Sequence, residues 1–309
     1  MKKKIILDVD TGVDDALGII LAVKSGQFDI AGITTTHGNV SLDTATLNTC
    51  KILEFLNADI PVIKGAAKPV KRSTFFEHAV HGSDGLGGAL ADMDVSKQPD
   101  QGFAVDFLIR QVLQDPGNIT LIMTGPLTNL ALAVQNCPEI VSKVKEVIFM
   151  GGVVNGVGNI TPVAEYNMYV DPEAAKIVFH AGFESLIQVG LDVTRKALLT
   201  EQHIESITDP RMKEYVKEST ADYTKRYFER NGVKACAMHD PLAVGVALER
   251  ELVGTKAYHV DIETNSDLCD GQTVCDFQNR LGKAPTMHVC ETVDHEAFFR
   301  LFIAALNGQ

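Results

Sequence analysis

The segment DVDTGVDDA, residues 8 to 16, crowds Asp8, Asp10, Asp14 and Asp15 directly behind the apolar run Ile5, Ile6, Leu7. Each ionised carboxylate raises the cost of ionising the next, so such a cluster calls for something that offsets it, and a bound cation is the obvious candidate. Asp14 and Asp15 alone are ordinary first-turn acids that offset a helix dipole. With Asp8 and Asp10 they become a set of hard oxygen donors of the kind Ca²⁺ or Mg²⁺ prefers. A second group, AMHDP at 237 to 241, places His239 and Asp240 before Pro241 and the apolar run Leu242 to Leu248, where Asp240 reads equally well as a helix N-cap. A third, NITPVAEYN at 159 to 167, offers Asn159, Glu165 and Asn167, groups suited either to sugar hydroxyls or to a capped, solvated loop.

Spacing tests two metal-using schemes. An EF-hand loop starting at Asp8 needs Gly sixth and Glu twelfth, where the chain has Val13 and Ile19, and that scheme fails. A phosphatase of the haloacid dehalogenase type needs DxDx[TV] after a strand. Here Gly12 stands fifth and Thr11 one place early, so this scheme remains only as an alternative.

The elements that must carry these groups follow from periodicity. Short β-branched runs (Ile5 to Val9, Ile30 to Thr35, Ile119 to Met123, Val147 to Met150) alternate with helical patterns (Asp14 to Val23, Leu42 to Leu56, Leu127 to Val134, Pro172 to Phe179). That alternation predicts a Rossmann-like α/β fold, an open and mostly parallel sheet flanked by helices. No repeat or Gly/Ser linker divides the chain, so one domain over 1–309 is expected. In an open α/β sheet the ligand site lies outside the carboxyl ends of the strands. DVDTGVDD, TTTHGN (34 to 39), MTGPLTN (123 to 129) and MGG (150 to 152) all follow strands and should converge there. The stretch from Lys68 to Gln101 has no clear period and reads as a long loop or lid.

Composition narrows the partners. With 309 residues, 45% hydrophobic and 22% charged, the chain is globular in composition, and no apolar stretch is long enough to span a bilayer. A net charge of -12 argues against nucleic acid and favours a neutral or cationic small ligand. Only three apolar residues follow Met1 to Lys4 before Asp8, too few for a signal sequence, so the mature chain is expected to begin here. The six cysteines, at 50, 137, 236, 269, 275 and 290, lack zinc spacing and read as reduced, mostly buried thiols of a cytoplasmic protein.

Taken in order and spacing, DVDTGVDDA, TTTHGN, HGSDGLGG (81 to 88), MTGPLTNLA (123 to 131), MGG, NITPVAEYN, VDPEAA (170 to 175) and HDP (239 to 241) resemble the nucleoside hydrolases, the inosine-uridine preferring family of N-ribosyl hydrolases, over nearly the whole chain. The resemblance implies a Ca²⁺ site made by the carboxylates of Asp10, Asp15 and Asp240 and the main-chain carbonyl of Thr124, with Asp10 also the general base. It implies that Asp14, Asn39, Glu165 and Asn167 hold the ribose hydroxyls, with Asn159 near the 5′ end, and that His239 faces the base and helps it leave. His81, Tyr223 and Tyr227 would border the base, while Asp8 matches no metal ligand and reads as structural. The absence of Trp, together with these groups, looks more like the pyrimidine-specific or inosine-uridine members than those that stack purines on Trp. Members of the family are typically dimers or tetramers.

Two further classes compete. A phosphorylase would need an anion site, yet Lys64, Lys68, Lys71 and Arg72 lie in or beside the long loop, where solvated charge is the default. A non-catalytic Ca²⁺-dependent ribose-binding module would bind the sugar without turnover. The expected partner is a small ribonucleoside, with neither nucleic acid nor membrane involved.

Overall fold

The computed structural model describes residues 2–76 and 84–309. Its centre is a sheet of strands β1 (Lys3–Val9), β2 (Phe28–Thr35), β3 (Val62–Lys64), β4 (Ile119–Met123), β5 (Glu146–Met150), β6 (Leu186–Val189), β9 (Val253–Tyr258) and β12 (Met287–Val293). Two small antiparallel pairs stand apart, β7 (Leu198–Leu199) with β8 (Cys236–Ala237) and β10 (Val260–Ile262) with β11 (Thr273–Cys275). The main sheet runs β3-β2-β1-β4-β5-β6-β12-β9, all parallel except the edge strand β9. Chain order reverses between β1 and β4, which opens the crevice where α/β sheets of this type bind ligands.

Both faces of the sheet are buried, which is why the strands read as continuous apolar runs. Along β1 the side chains alternate: Ile5, Leu7 and Val9 pack on one side with Leu17, Ile20, Leu53, Leu242 and Phe298, whereas Ile6 packs on the other with Phe107, Leu130 and Val178. The first side is covered by α1 (Val13–Lys24), α2 (Leu42–Phe55) and the helices His239–Leu248 and His295–Leu306. Helices Ala104–Gln114, Thr128–Asn136 and Pro172–Phe179 cover the second. No helix among the described residues is long and apolar enough to cross a membrane. All six cysteines are free; Cys50, Cys236 and Cys290 are buried, while Cys137, Cys269 and Cys275 are only half-buried.

Apart from one isolated bridge, from Asp100 to Ile63, the described parts of 68–101 form neither helix nor strand. The start of this segment is tied down. Asp171 caps the helix that follows it and also accepts from Val70 N (2.9 Å), and Tyr166 donates to Phe75 O (3.1 Å). Arg72, expected as a solvated charge, is fixed by Glu173 (2.8 Å) and Asp270. Two carboxylates beside one guanidinium outcompete water for it.

Candidate active site

The floor of the site grows from the strand ends. Past β1, Thr36 N donates to Val9 O (2.9 Å) and Thr124 N to Asp8 O (2.8 Å), so the segments after β2 and β4 are drawn up beside Asp10. Asn39 N then donates to Asp10 Oδ2 at 2.6 Å. Only glycine fits at position 38, because a Cβ there would lie 1.9 Å from that same oxygen. Asp8 points away from this group; its Oδ2 accepts from Asn129 Nδ2 (2.7 Å) and Thr34 Oγ1 (2.5 Å), and burial pushes its carboxyl up to about 7.

Helix α1 opens with Gly12 N donating to Asp15 Oδ2 (2.9 Å), and Asp15 Oδ1 accepts from Thr124 Oγ1 (2.7 Å). The oxygens of Asp14, Asp15 and Asp240 come within 4.8 Å of one another. Burial is the largest cause raising the carboxyls of Asp10, Asp14, Asp15 and Asp240, and their mutual repulsion adds to it. Asp10 Oδ1 is buried with no hydrogen-bond partner. Such a set suits a hard divalent cation, which would neutralise the repulsion and occupy the orphan oxygen.

The grouping differs in one respect from the one implied by resemblance. Asp14, expected on the ribose, lies inside the cluster of mutually close oxygens, and Asp10, expected among the metal ligands, lies beside it with Oδ2 engaged by Asn39 N. The Thr124 carbonyl already accepts from Asn167 Nδ2 (2.7 Å). Asp240 is not an N-cap: its helix starts at His239 with Met238 in the cap position. The Asp240 carboxyl shares a hydrogen bond with Asp14 instead of turning back to its own helix.

Above this floor is a cavity of about 550 Å³, a size usual for small-molecule sites. Asp14, Asn39, Thr124, Asn159, Glu165, Asn167, Tyr223, Tyr227, His239 and Asp240 all line it. Glu165 is buried and held by main chain: Oε1 accepts from Asn167 N (2.9 Å), Oε2 from Gly152 N (2.8 Å) and Met168 N (3.2 Å). Gly152 is at φ 75°, where a Cβ would lie 2.3 Å from Gln188 Nε2. Asn159 Oδ1 accepts from Tyr166 N (2.9 Å), and His239 Nδ1 is 2.7 Å from Thr194 Oγ1. Tyr223 and Tyr227 stack with ring centroids 6.3 Å apart. His81 lies outside the described residues.

Sequence reasoning missed the outer wall. Arg195, Arg226 and Arg230 also line the cavity. Arg195 donates to Val157 O (2.7 Å) and Gly158 O (2.8 Å), and Arg230 to Asn159 O (3.3 Å). A signal was present: on the helix Ala221–Asn231, residues 223, 226, 227 and 230 follow the spacing of a single helix face.

The sequence model described as inosine-uridine preferring nucleoside hydrolase matches residues 5–300. The chain belongs to this family. As a nucleoside hydrolase it is an enzyme acting on N-glycosyl compounds, and ribonucleoside hydrolysis is its activity. It is 34% identical over 310 aligned positions to the pyrimidine-specific ribonucleoside hydrolase RihB of Escherichia coli (strain SE11), covering 99% of this chain and 98% of that one. Among solved structures, the plant nucleoside hydrolase PpNRh1 superposes with a TM-score of 0.92 at 34% identity, covering 99% of both chains. The purine-preferring ribonucleoside hydrolase of Gardnerella vaginalis gives 0.91 at 32% identity, covering 99% of this chain and 98% of that one. The family fold is thus the α/β architecture expected from the alternation of runs.

Proposed function

We propose that this nucleoside hydrolase uses Ca²⁺ to cleave pyrimidine ribonucleosides, uridine and cytidine, or inosine and uridine, into ribose and free base. The observation that carries this reading is the convergence of Asp14, Asp15 and Asp240 beside the orphan oxygen of Asp10, at the bottom of a cavity that His239 and two tyrosines also line. Asp10, Asp15, Asp240 and the Thr124 carbonyl would hold the cation, with Asp14 in reach of both cation and ribose. Bound there, a divalent cation makes a water more acidic and fixes it in place.

The chain's own residues do the rest. Asp10, whose Oδ1 is buried without a hydrogen-bond partner, accepts the proton of the attacking water. Asp14, Asn39, Glu165 and Asn167 hold the ribose hydroxyls, Asn159 lies toward the 5′ end, and the buried carboxylates stabilise the positive charge that develops on the sugar. The Thr194 hydroxyl, 2.7 Å from Nδ1, can donate to it, and in that tautomer the proton of His239 is on Nε2, where it can be given to the departing base. Tyr223 and Tyr227 supply the apolar face the base rests on, and His81 is assigned to the same border by the family resemblance. The likeness to RihB and the absence of Trp support a pyrimidine or hypoxanthine base.

We further propose one catalytic domain over 1–309, acting in the cytoplasm as a dimer or tetramer, with no nucleic-acid or membrane partner. A reducing-sugar assay over uridine, cytidine, inosine and adenosine, with and without phosphate and with and without chelator, tests the reaction. Release of ribose that needs divalent metal but not phosphate is the expected result. Dependence on phosphate, or full activity in a metal-free protein, overturns it.

A further inference from the structure

Asn159 stands where two differently held stretches meet. The turn from Gly158 onward is fixed by main chain, with Gly158 N donating to Pro162 O (2.9 Å) and Asn159 N to Ala164 O (3.1 Å). The loop before it, residues 154–157, is mostly exposed and, among the described residues, makes no main-chain hydrogen bond.

One short helix holds that loop from both ends. In Leu191–Thr194, with Arg195 at its C-cap, Asp192 and Arg195 stand three apart and share a face. Where the loop begins, Asp192 Oδ2 accepts from Val154 N (3.0 Å) and Oδ1 from Asn155 N (2.8 Å). Where it ends, Arg195 donates to Val157 O (2.7 Å) and Gly158 O (2.8 Å). A carboxylate matches two N–H groups and a planar guanidinium matches two carbonyls, and such charge-assisted bonds hold an exposed backbone against water. Arg230 adds a longer bond to the next carbonyl, Asn159 O (3.3 Å). The Gly158–Asn159 peptide is thus fixed on both edges, its carbonyl by Arg195 and its N–H by Ala164 O. Asn159 Oδ1 accepts from Tyr166 N (2.9 Å), which leaves the Nδ2 protons for a ligand in the cavity this residue lines.

We infer that Asp192 and Arg195 are positioning residues, a clamp that sets the loop before Asn159 so that the Asn159 amide meets the uncharged 5′-hydroxyl of the ribose. The inference rests on the reading of Asn159 as the residue toward the 5′ end. Thr194, between the two, is 2.7 Å from His239 Nδ1. A change that displaced the whole helical turn would therefore reach the imidazole and depress every nucleoside alike, whereas loosening the loop alone is felt only through the 5′-hydroxyl.

The test measures kcat/KM for uridine and 5′-deoxyuridine on the Ca²⁺-loaded wild type and its variants. Wild type should favour uridine by about three- to tenfold, the size of one hydrogen bond between uncharged groups, and Asn159→Ala should erase that preference. Arg195→Lys keeps the charge that favours the ionised form of Glu165 but loses the fork that spans two carbonyls. It should lower the uridine to 5′-deoxyuridine ratio by about three- to tenfold, and Asp192→Ala, at the other end of the loop, should do the same. In the Asn159→Ala background neither change should move the ratio further. The inference is overturned if either variant keeps the wild-type ratio, whether or not both rates fall together, or if the ratio still falls once Asn159 is gone. A wild type that does not distinguish the two substrates overturns the 5′ assignment of Asn159 and the inference with it. Absence of sugar release from uridine defeats the hydrolase reading beneath both.

Discussion

The floor and the outer wall of the cavity are built in different ways. On the floor several carboxylate oxygens are held by main chain or by a short buried hydroxyl: Asn39 N on Asp10, Gly12 N and the Thr124 hydroxyl on Asp15, Gly152 N on Glu165. The wall is the helix Ala221–Asn231, in which Tyr223 is the only buried residue, together with Arg195; Arg230 ties the helix to Asn159 O, and Arg195 bonds to the carbonyls of Val157 and Gly158. Groups on strand ends cannot shift without disturbing the sheet, whereas a helix face bearing long side chains can be rewritten at little cost to the fold. Chemistry should therefore be lost by changes in the floor, and selectivity altered by changes in the wall.

The largest effect should come from the floor. Asp10→Ala removes the proposed base and the carboxylate beside the cluster, and kcat should drop by about four orders of magnitude. Thermal unfolding of the variant in the presence of Ca²⁺ should still be cooperative, since no core contact is lost. Residual activity within tenfold of wild type would break the division, because the carboxylate of the floor assigned as the base would then be doing no chemistry.

His239 sits where floor and wall meet, so its loss separates the two roles. On uridine His239→Ala should lower kcat by about a hundredfold to ten-thousandfold. On p-nitrophenyl riboside, whose leaving group departs without a proton, the loss should be much smaller. Equal losses on both substrates would mean that the imidazole serves only to place its neighbour Asp240, and would return His239 to the floor.

Removing the cation probes the floor through stability. The carboxyls of Asp10, Asp14, Asp15 and Asp240 are raised in the folded, cation-free protein. A group raised on folding contributes stability below its unfolded value and loses it as pH rises through its folded value. Without a cation the fold should therefore weaken from acid toward pH 8, while cation binding strengthens as the protons leave. Chelation should lower Tm by about 5 °C at pH 8 and by much less at pH 5.5. A pH-independent shift would show that these four groups do not hold the ion.

The same division explains what was legible in the sequence. The strands carrying Asp10, Asn39 and Thr124 could be read because each polar cluster directly follows an apolar run, and the position of a strand end is fixed by that pattern. The edge strand β9 and its neighbour β12 gave no comparable signal, since β9 exposes most of its residues and alternates poorly. Local rules offered Asp240 as a cap because Asp before Pro is a good one, and only the family resemblance placed it at the metal site, since the buried Asp14 it meets is far away in sequence. Arg195 could not be found at all from its neighbours, since its partners at 157 and 158 are main-chain carbonyls, which leave no trace in residue type. Arg226 and Arg230 were visible only as a helix spacing.

The smallest effect should come from the wall, and it is the one that sharpens the contrast most. Tyr227 is half-buried, stacks on Tyr223 and lines the cavity without touching the acidic cluster. Aromatic contact with a flat base contributes about 0.5–1.5 kcal/mol beyond area burial, a factor of about three to ten. The ring meets the base equally before and during bond cleavage, so Tyr227→Ala should raise KM by that factor and leave kcat nearly unchanged. The size of the rise should differ between uridine and inosine, because their rings cover different areas, and should be least for p-nitrophenyl riboside, whose single ring makes no polar contacts in common with either base. A fall in kcat at constant KM would place Tyr227 in the departure of the base itself, and the wall would then share in the chemistry assigned to the floor.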